Sequence, residues 1–168
     1  MSGPKTSEVA DATKAGDSID EALAAIRFDR DGLVPAVAQQ HDTGEILMVA
    51  WMNRDAVRAT LAEGRVCYWS RSRQRLWQKG ETSGQIQWLR ELRLDCDGDT
   101  VLLLVDQHGV ACHTGRRNCF FRAWRGDGWQ VIADPEIDPE ALYQPRCAGP
   151  TAAVDTPYGS GSGPSCRR

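Results

Sequence analysis

The sequence predicts a mainly β domain of the α+β class, in which an antiparallel sheet forms a compact sandwich or a pseudo-barrel with one or two short helices. Strand patterns outnumber helical ones from Leu33 onward, and turns rich in Gly or Asp separate them. The chain has 168 residues, 41% of them hydrophobic, which suffices for one domain with its own core but not for two.

The predicted domain occupies residues 18–133. Residues 1–17 are small and polar and are expected to be flexible, whereas residues 134–168 are rich in Pro, Gly and Ser and are expected to form a disordered tail. Ser18 and Glu21 have the spacing of a capping box, which predicts a short helix from Ser18 to about Arg27.

A β-hairpin is expected next, with strands at Val34–Gln40 and Ile46–Met52 around a turn. A second helix should follow over Arg54–Glu63, because Asn53 can cap its start and Gly64 can end it. The first half of the domain is thus predicted to alternate short helices with a hairpin.

Two further strands are predicted at Val66–Ser70 and Leu76–Lys79, on either side of a basic loop. In the strand that begins at Ile86, the even positions are mainly apolar and should share one face. They are Ile86, Trp88, Leu92, Leu94 and Cys96. Cys96 is therefore expected to face away from its two aspartate neighbours.

The segment Val101–Val105 is apolar throughout and predicts a strand covered on both faces. A second hairpin is then expected, with Val110–His113 lying against Cys119–Trp124. Its closure would place Cys112 and Cys119 close enough to share a metal ion.

Composition narrows the classes of function. The net charge of −3 and the isoelectric point of about 5.6 do not favour a nucleic-acid partner. No apolar run is long enough to span a membrane, and no secretion signal is recognisable. A cytoplasmic location is expected, where the six cysteines would favour thiolate chemistry over disulfides.

Three cysteines lie within one short stretch, which predicts a zinc site. They are Cys96, Cys112 and Cys119. A structural zinc site is normally closed by four protein ligands, but no fourth is evident here, so one tetrahedral position would remain for water. His113 follows a ligand on a strand, points the opposite way and is better suited to moving a proton. A hydrogen-bonded turn histidine is the alternative.

Three carboxylates alternate beside the first of these cysteines. They belong to Asp95, Asp97 and Asp99, and such hard oxygen ligands suit a magnesium-like ion. A solvated acidic turn is the alternative, since Asp-Gly-Asp is a common turn composition. An open zinc site next to a hard-cation site suggests hydrolysis of a phosphorylated substrate.

The loop at residues 70–84 combines guanidinium groups, hydroxyls and glycines, which suits phosphate binding. The candidate phosphate ligands are Arg71, Arg73, Lys79 and Arg116. A solvated charged loop is the alternative interpretation.

Four segments carry a resemblance to a known family. They read WSRSR at residues 69–73, LWQKGETSG at 76–84, DCDGD at 95–99 and ACHTGRRNCF at 111–120. Together they closely resemble phosphoribosyl-AMP cyclohydrolase, the enzyme of histidine biosynthesis that hydrolyses the N1–C6 bond of the adenine ring. Asn118 departs from the serine or threonine frequent in that family, which should alter hydrogen bonding beside a ligand.

The resemblance implies zinc at Cys96, Cys112 and Cys119 and magnesium at Asp95, Asp97 and Asp99. It also implies a homodimer, in which Cys96 completes the zinc site of the partner subunit. Two other functions stay open from the residues alone. One is a zinc-dependent nucleobase deaminase, although its His-x-Glu and Pro-Cys-x-x-Cys signatures are absent. The other is a non-catalytic, zinc-stabilised binding module.

Overall fold

The structure, a computed structural model, describes residues 18–143. The predicted flexible segment 1–17 and residues 144–168 of the predicted tail lie outside this range. No helix in the described range is long and apolar enough to cross a bilayer.

The described chain has two helices and eight strands. In order they are α1 (18–25), β1 (Leu33–Gln40), β2 (Ile46–Asn53), α2 (Arg54–Glu63), β3 (Cys67–Ser70), β4 (Arg75–Gln78), β5 (Gln87–Leu94), β6 (Val101–Gln107), β7 (Arg122–Trp124) and β8 (Trp129–Val131), followed by a 3-10 turn at Ala141–Tyr143. The mainly β fold class is confirmed.

Six strands form one sheet in the order β4-β3-β2-β1-β6-β5, and β7 and β8 form a separate hairpin. Neighbouring strands are antiparallel except β1 and β6, which run parallel. The sheet curls, because Gly64 and Val66, which precede β3, hydrogen-bond to Leu89 and Gln87 of edge strand β5. Of the two predicted architectures, the structure has the pseudo-barrel.

The second helix begins and ends where the sequence predicts. The Asn53 side-chain oxygen accepts a hydrogen bond from the Ala56 N–H at 2.9 Å, and Gly64 adopts a left-handed conformation with φ of 68°. The first helix ends at residue 25, slightly earlier than predicted. The Arg27 N–H instead donates to the carbonyl of Gly98 at 2.7 Å, which draws the chain away from the helix axis.

The predicted alternation along β5 is wrong in its first half. A bulge between Leu89 and Glu91 shifts the register against β6, so that Gln87 is fully buried while Trp88 is 46% exposed. Beyond the bulge, Leu92 is partly buried as predicted. Because the bulge adds one residue to the strand, the side chains before it point to the opposite faces from those that strict alternation predicts.

The predicted hairpin of Val110–His113 against Cys119–Trp124 is also wrong. Residues 110–121 form turns instead of strands, and only two backbone hydrogen bonds join the two sides of the loop, from Ala111 to Arg117 and from Cys112 to Arg116. The second side is diverted because the Cys119 N–H donates to Leu47 of β2 at 2.8 Å.

Residues 134–143, which the sequence predicts to belong to the tail, pack on this loop. The N–H groups of Glu136 and Ile137 both donate to the carbonyl of Gly115, and Leu142 is buried. The packed part of the chain therefore extends past residue 133.

The cap of α2 can be tested by replacing Asn53 with alanine. Loss of the Asn53 oxygen leaves the Ala56 N–H without its partner, and we expect the free energy of unfolding to fall by about 1 kcal/mol. Urea denaturation measures the change. Asn53→Asp retains an acceptor and should remain close to wild type, and equal losses in both variants would contradict the assigned cap.

Candidate active site

A cavity of about 500 Å³ opens between the start of β2, the loop after β4 and the loop after β6. Five residues selected from the sequence line it, namely Arg73, Lys79, Cys112, His113 and Cys119. The 3-10 turn adds Leu142 and Tyr143 to the wall. The cavity therefore brings together thiol, imidazole and ammonium groups from distant parts of the sequence.

Cys112 and Cys119 both line this cavity. Cys112 is buried, and its sulfur lies 3.0 Å from the Thr114 hydroxyl. Cys119 is an exposed residue, yet desolvation of its sulfur raises the pKa of the thiol to about 12, with Cys112 acting in the same direction and Lys79 opposing it. The pair is a preformed set of soft donors, as zinc prefers.

Lys79 is a buried cation that lines the same cavity as the two thiols. Its side chain is 7% exposed, and its ammonium group donates to the carbonyl of Gln85 at 3.3 Å. Burial lowers the pKa of Lys79, while negative charge on Cys119 and Cys112 acts in the opposite direction. The electrostatics of the amine and of the thiols are thus linked.

Gln85 connects the two loops that carry these groups. Its backbone carbonyl accepts from Lys79, and its side-chain oxygen accepts from the N–H of Val110 at 2.9 Å. Two glycines leave room for it: a Cβ on Gly80 would lie 2.5 Å from the Gln85 backbone, and one on Gly109 would lie 1.9 Å from its side-chain oxygen. The close approach of both loops therefore requires glycine at these positions.

A second glutamine network lies beneath the cavity. The Tyr68 hydroxyl donates to Gln87 at 2.7 Å, and the Gln87 amide donates to Gln107 at 2.9 Å. The Gln107 amide lies within hydrogen-bond distance of the carbonyls of His108 and Val110. Burial raises the pKa of Tyr68. This chain of hydrogen bonds fixes the path of the backbone toward Cys112.

The loop before Cys119 is anchored on the turn between β1 and β2. The Asn118 amide donates to Glu45 at 2.6 Å, and Arg117 forms an ion pair with the same carboxylate at 3.4 Å. The Asn118 side-chain oxygen also accepts from the Phe120 N–H at 2.8 Å. The sequence predicts that Asn118 changes the hydrogen bonding beside a metal ligand. In the structure, the Asn118 side chain forms these two hydrogen bonds next to Cys119.

The carboxylates of Asp95, Asp97 and Asp99 converge in the turn between β5 and β6. Their oxygens lie within 4.8 Å of one another, and all three residues are exposed. Desolvation acts to raise the pKa of Asp95, but hydrogen bonds to its carboxylate, first from the Thr100 N–H and then from Asp97, outweigh it and the net pKa is lowered. These oxygens are suited to a hard cation.

Cys96 does not join Cys112 and Cys119 within one chain. Cys96 lies in the turn before β6, which begins at Val101. The Cys119 N–H donates a hydrogen bond to Leu47 of β2, and the pairing of β2 with β1 and of β1 with β6 places Leu47 near the level of Leu104. At about 3.3 Å per residue the separation along the strands is roughly 15 Å. In residues 18–143, the aspartate cluster is the only set of three such donors whose ligand atoms meet.

Two predicted phosphate ligands are engaged outside the cavity. The Arg71 guanidinium stacks on the ring of Trp51 at 4.6 Å. Arg116 stacks on Phe121 at 4.1 Å and donates to the carbonyl of Ala133 at 2.8 Å. Of the selected arginines, Arg73 is the one that lines the cavity.

Sequence reasoning missed Gln85, Leu142 and Tyr143 as parts of the site. No local pattern reveals Gln85, because a polar residue directly after a glycine-containing turn is typical of a solvated loop. Leu142 and Tyr143 offered a weak signal, as adjacent apolar residues in an otherwise polar segment.

The fold and this cavity define a small β-domain enzyme that binds a small molecule, since a concave site with a few converging polar groups is typical of that class. Residues 48–121 match the family model described as phosphoribosyl-AMP cyclohydrolase. The chain belongs to the phosphoribosyl-AMP cyclohydrolase family, and it is a hydrolase that acts on a cyclic carbon–nitrogen bond.

Relatives from several bacteria carry that same name. The protein of Rhodospirillum centenum is 72% identical over 124 residues, which cover 73% of this chain and 93% of the relative. The protein of Alkalilimnicola ehrlichii is 68% identical, over 72% of this chain and 85% of its own length. That of Magnetococcus marinus is 60% identical, over 72% and 94%.

The contact between Gly109 and Gln85 can be tested with two matched substitutions. Gly109 and Gly126 have similar φ values of 68° and 71°, but a Cβ on Gly126 meets nothing within 4 Å. Gly109→Ala should therefore cost about 1–3 kcal/mol of unfolding free energy more than Gly126→Ala, through loss of the Gln85–Val110 hydrogen bond. Urea denaturation measures the free energy of unfolding of both variants. Equal losses of unfolding free energy would contradict the proposed role of the contact between Gly109 and Gln85.

Proposed function

We propose that the chain hydrolyses the N1–C6 bond of the adenine ring of phosphoribosyl-AMP, a step of histidine biosynthesis. The convergence of Cys112, Cys119 and His113 on one cavity, in a chain of this family, carries the proposal. In the substrate the phosphoribosyl group on N1 draws electrons from the ring, so that C6 becomes electrophilic. A nucleophilic water and a proton donor for nitrogen then suffice to open the ring.

Zinc fits the thiol pair by donor chemistry. Both cysteines line one cavity, and soft thiolates are preferred zinc ligands. We assign Cys112 and Cys119 to zinc, with Cys96 as the third ligand. Bound zinc would supply a Lewis acid that makes water nucleophilic near neutral pH.

The third ligand would come from a second copy of the chain. Cys96 of the same chain is too distant, while its exposure leaves it accessible to another subunit. Exposed apolar side chains around the β7–β8 hairpin support such a homodimer, because a patch of this kind is typical of an interface. They include Phe120, Trp124, Trp129, Val131 and Ile132.

Magnesium fits the aspartate turn by the same reasoning. Three carboxylates with oxygens within 4.8 Å of one another would repel, and a hard divalent cation would remove that repulsion. We assign Asp95, Asp97 and Asp99 to this ion, which would offset negative charge on a substrate phosphate.

The remaining groups of the cavity have separable roles. His113 is exposed at the wall and is assigned to move the proton to the departing nitrogen. Arg73 presents a guanidinium to the same space and is assigned to a substrate phosphate. Leu142 and Tyr143 line one side of the cavity and are assigned to pack against the bound ring.

The function is tested by ring opening. Zinc-loaded protein should convert phosphoribosyl-AMP to the formimino-carboxamide product, followed by absorbance, and absence of turnover in the metal-replete protein would exclude the proposal. His113→Ala should lower kcat by about 10²–10⁴-fold while its zinc content stays intact. His41→Ala, an exposed turn histidine outside the cavity, is the matched control and should leave kcat unchanged.

The shared zinc site is tested by subunit mixing. Cys96→Ala and Cys112→Ala homodimers should each be inactive, because each lacks one ligand at both sites. A mixed dimer contains one intact site, so activity should return to about half that of wild type. Native mass spectrometry verifies the mixed dimer, and its failure to regain activity would assign all three ligands to one chain.

A further inference from the structure

The buried position of Lys79 is not explained by phosphate binding alone. A cation that is 7% exposed is costly unless a compensating charge lies nearby. Within residues 18–143, no carboxylate forms an ion pair with Lys79 within 4.0 Å. Its hydrogen-bond acceptor is the neutral carbonyl of Gln85, so the compensating charge must come from another group.

The two thiols can supply the negative charge that compensates Lys79. Cys112 and Cys119 both act on the charge of Lys79, and all three residues line the same cavity. Glu81 also lines this cavity, but its carboxylate accepts from the Gln78 N–H at 3.3 Å. The charged groups that act on Lys79 are the thiolate forms of Cys119 and Cys112, and these groups can supply the compensating negative charge in the cavity that all three residues line.

The backbone holds Lys79 at this position. Its own N–H donates to Val66 at 2.9 Å, and the next residue, Gly80, turns the chain with φ of 80°. That turn brings the carbonyl of Gln85 over the ammonium group. The cation is thus fixed by the fold before any ligand arrives, whereas a flexible surface lysine would not be.

We infer that Lys79 is the buried counter-ion of the thiolate–zinc centre, and that it raises the affinity of this centre for zinc. Three thiolates outweigh one zinc ion by a single negative charge, and one ammonium group cancels it. The inference rests on the zinc assignment made above. It gives Lys79 a different role from the phosphate ligand that the sequence predicts.

The experiment measures zinc affinity without substrate, by competition with a chromophoric chelator on the full-length homodimer. Lys79→Met should weaken zinc binding by about 10–100-fold, as loss of outer-shell partners does. Arg73→Met removes a positive charge from the same cavity and should leave zinc affinity unchanged. An equal loss of zinc affinity in both variants would overturn the inference, because the effect would then come from the overall positive charge of the cavity and not from Lys79 in particular.

The outcomes separate this inference from the proposed function. Absence of zinc binding in the wild-type dimer would overturn the zinc assignment itself. If Lys79→Met has wild-type affinity for zinc but a raised KM, only the counter-ion role of Lys79 would be overturned, and Lys79 would be a phosphate ligand. Lys79→Gln is a second neutral variant, and in metal-free protein both variants should be at least as thermostable as wild type. Failure of both to fold would also overturn the inference.

Discussion

The position of Cys112 depends on buried side-chain amides, because the chain leaves the sheet after β6 and loses its ladder hydrogen bonds. Gln85 accepts from the Val110 N–H, and Gln107 lies within hydrogen-bond distance of the Val110 carbonyl. An unsatisfied buried polar group costs about 1–3 kcal/mol, so these amides replace the missing strand partners. The same Gln85 holds Lys79, and one residue thereby sets the relative positions of amine and thiol.

Elements governed by neighbours in sequence were predictable, and elements governed by distant partners were not. Helix α2 follows from Asn53 and Gly64, whose effects act within one helical turn. The bulge in β5 and the diversion of Cys119 depend on pairing with β6 and β2, which no local pattern encodes. The cysteines that face the cavity could be selected from the sequence by their chemistry alone. Gln85 could not, because glutamine is usually solvated.

The two candidate metal centres lie toward opposite ends of β6, and this separation constrains any account of the reaction. The aspartate turn precedes β6, whereas the loop of Cys112 follows it. Because Cys119 lies near the level of Leu104, roughly 15 Å separates the aspartate turn from the thiols of the same chain, too far for Cys96 to complete the zinc site of its own chain. In the proposed homodimer, Cys96 would bring the aspartate turn of one subunit to the cavity of its partner. A single assembly step would then complete both centres.

Three arginines near the cavity loops make contacts within the chain. Arg71 stacks on Trp51, Arg116 stacks on Phe121, and Arg117 binds backbone carbonyls and Glu45, so all three guanidinium groups serve the fold. A guanidinium suits these tasks because it is planar and offers several donors in fixed directions. An ammonium group is a compact and strongly hydrated point charge, so its burial in this cavity requires a compensating negative charge. The chain thus places Lys79 in the same cavity as the thiols and leaves Arg73 at the more open part of that cavity.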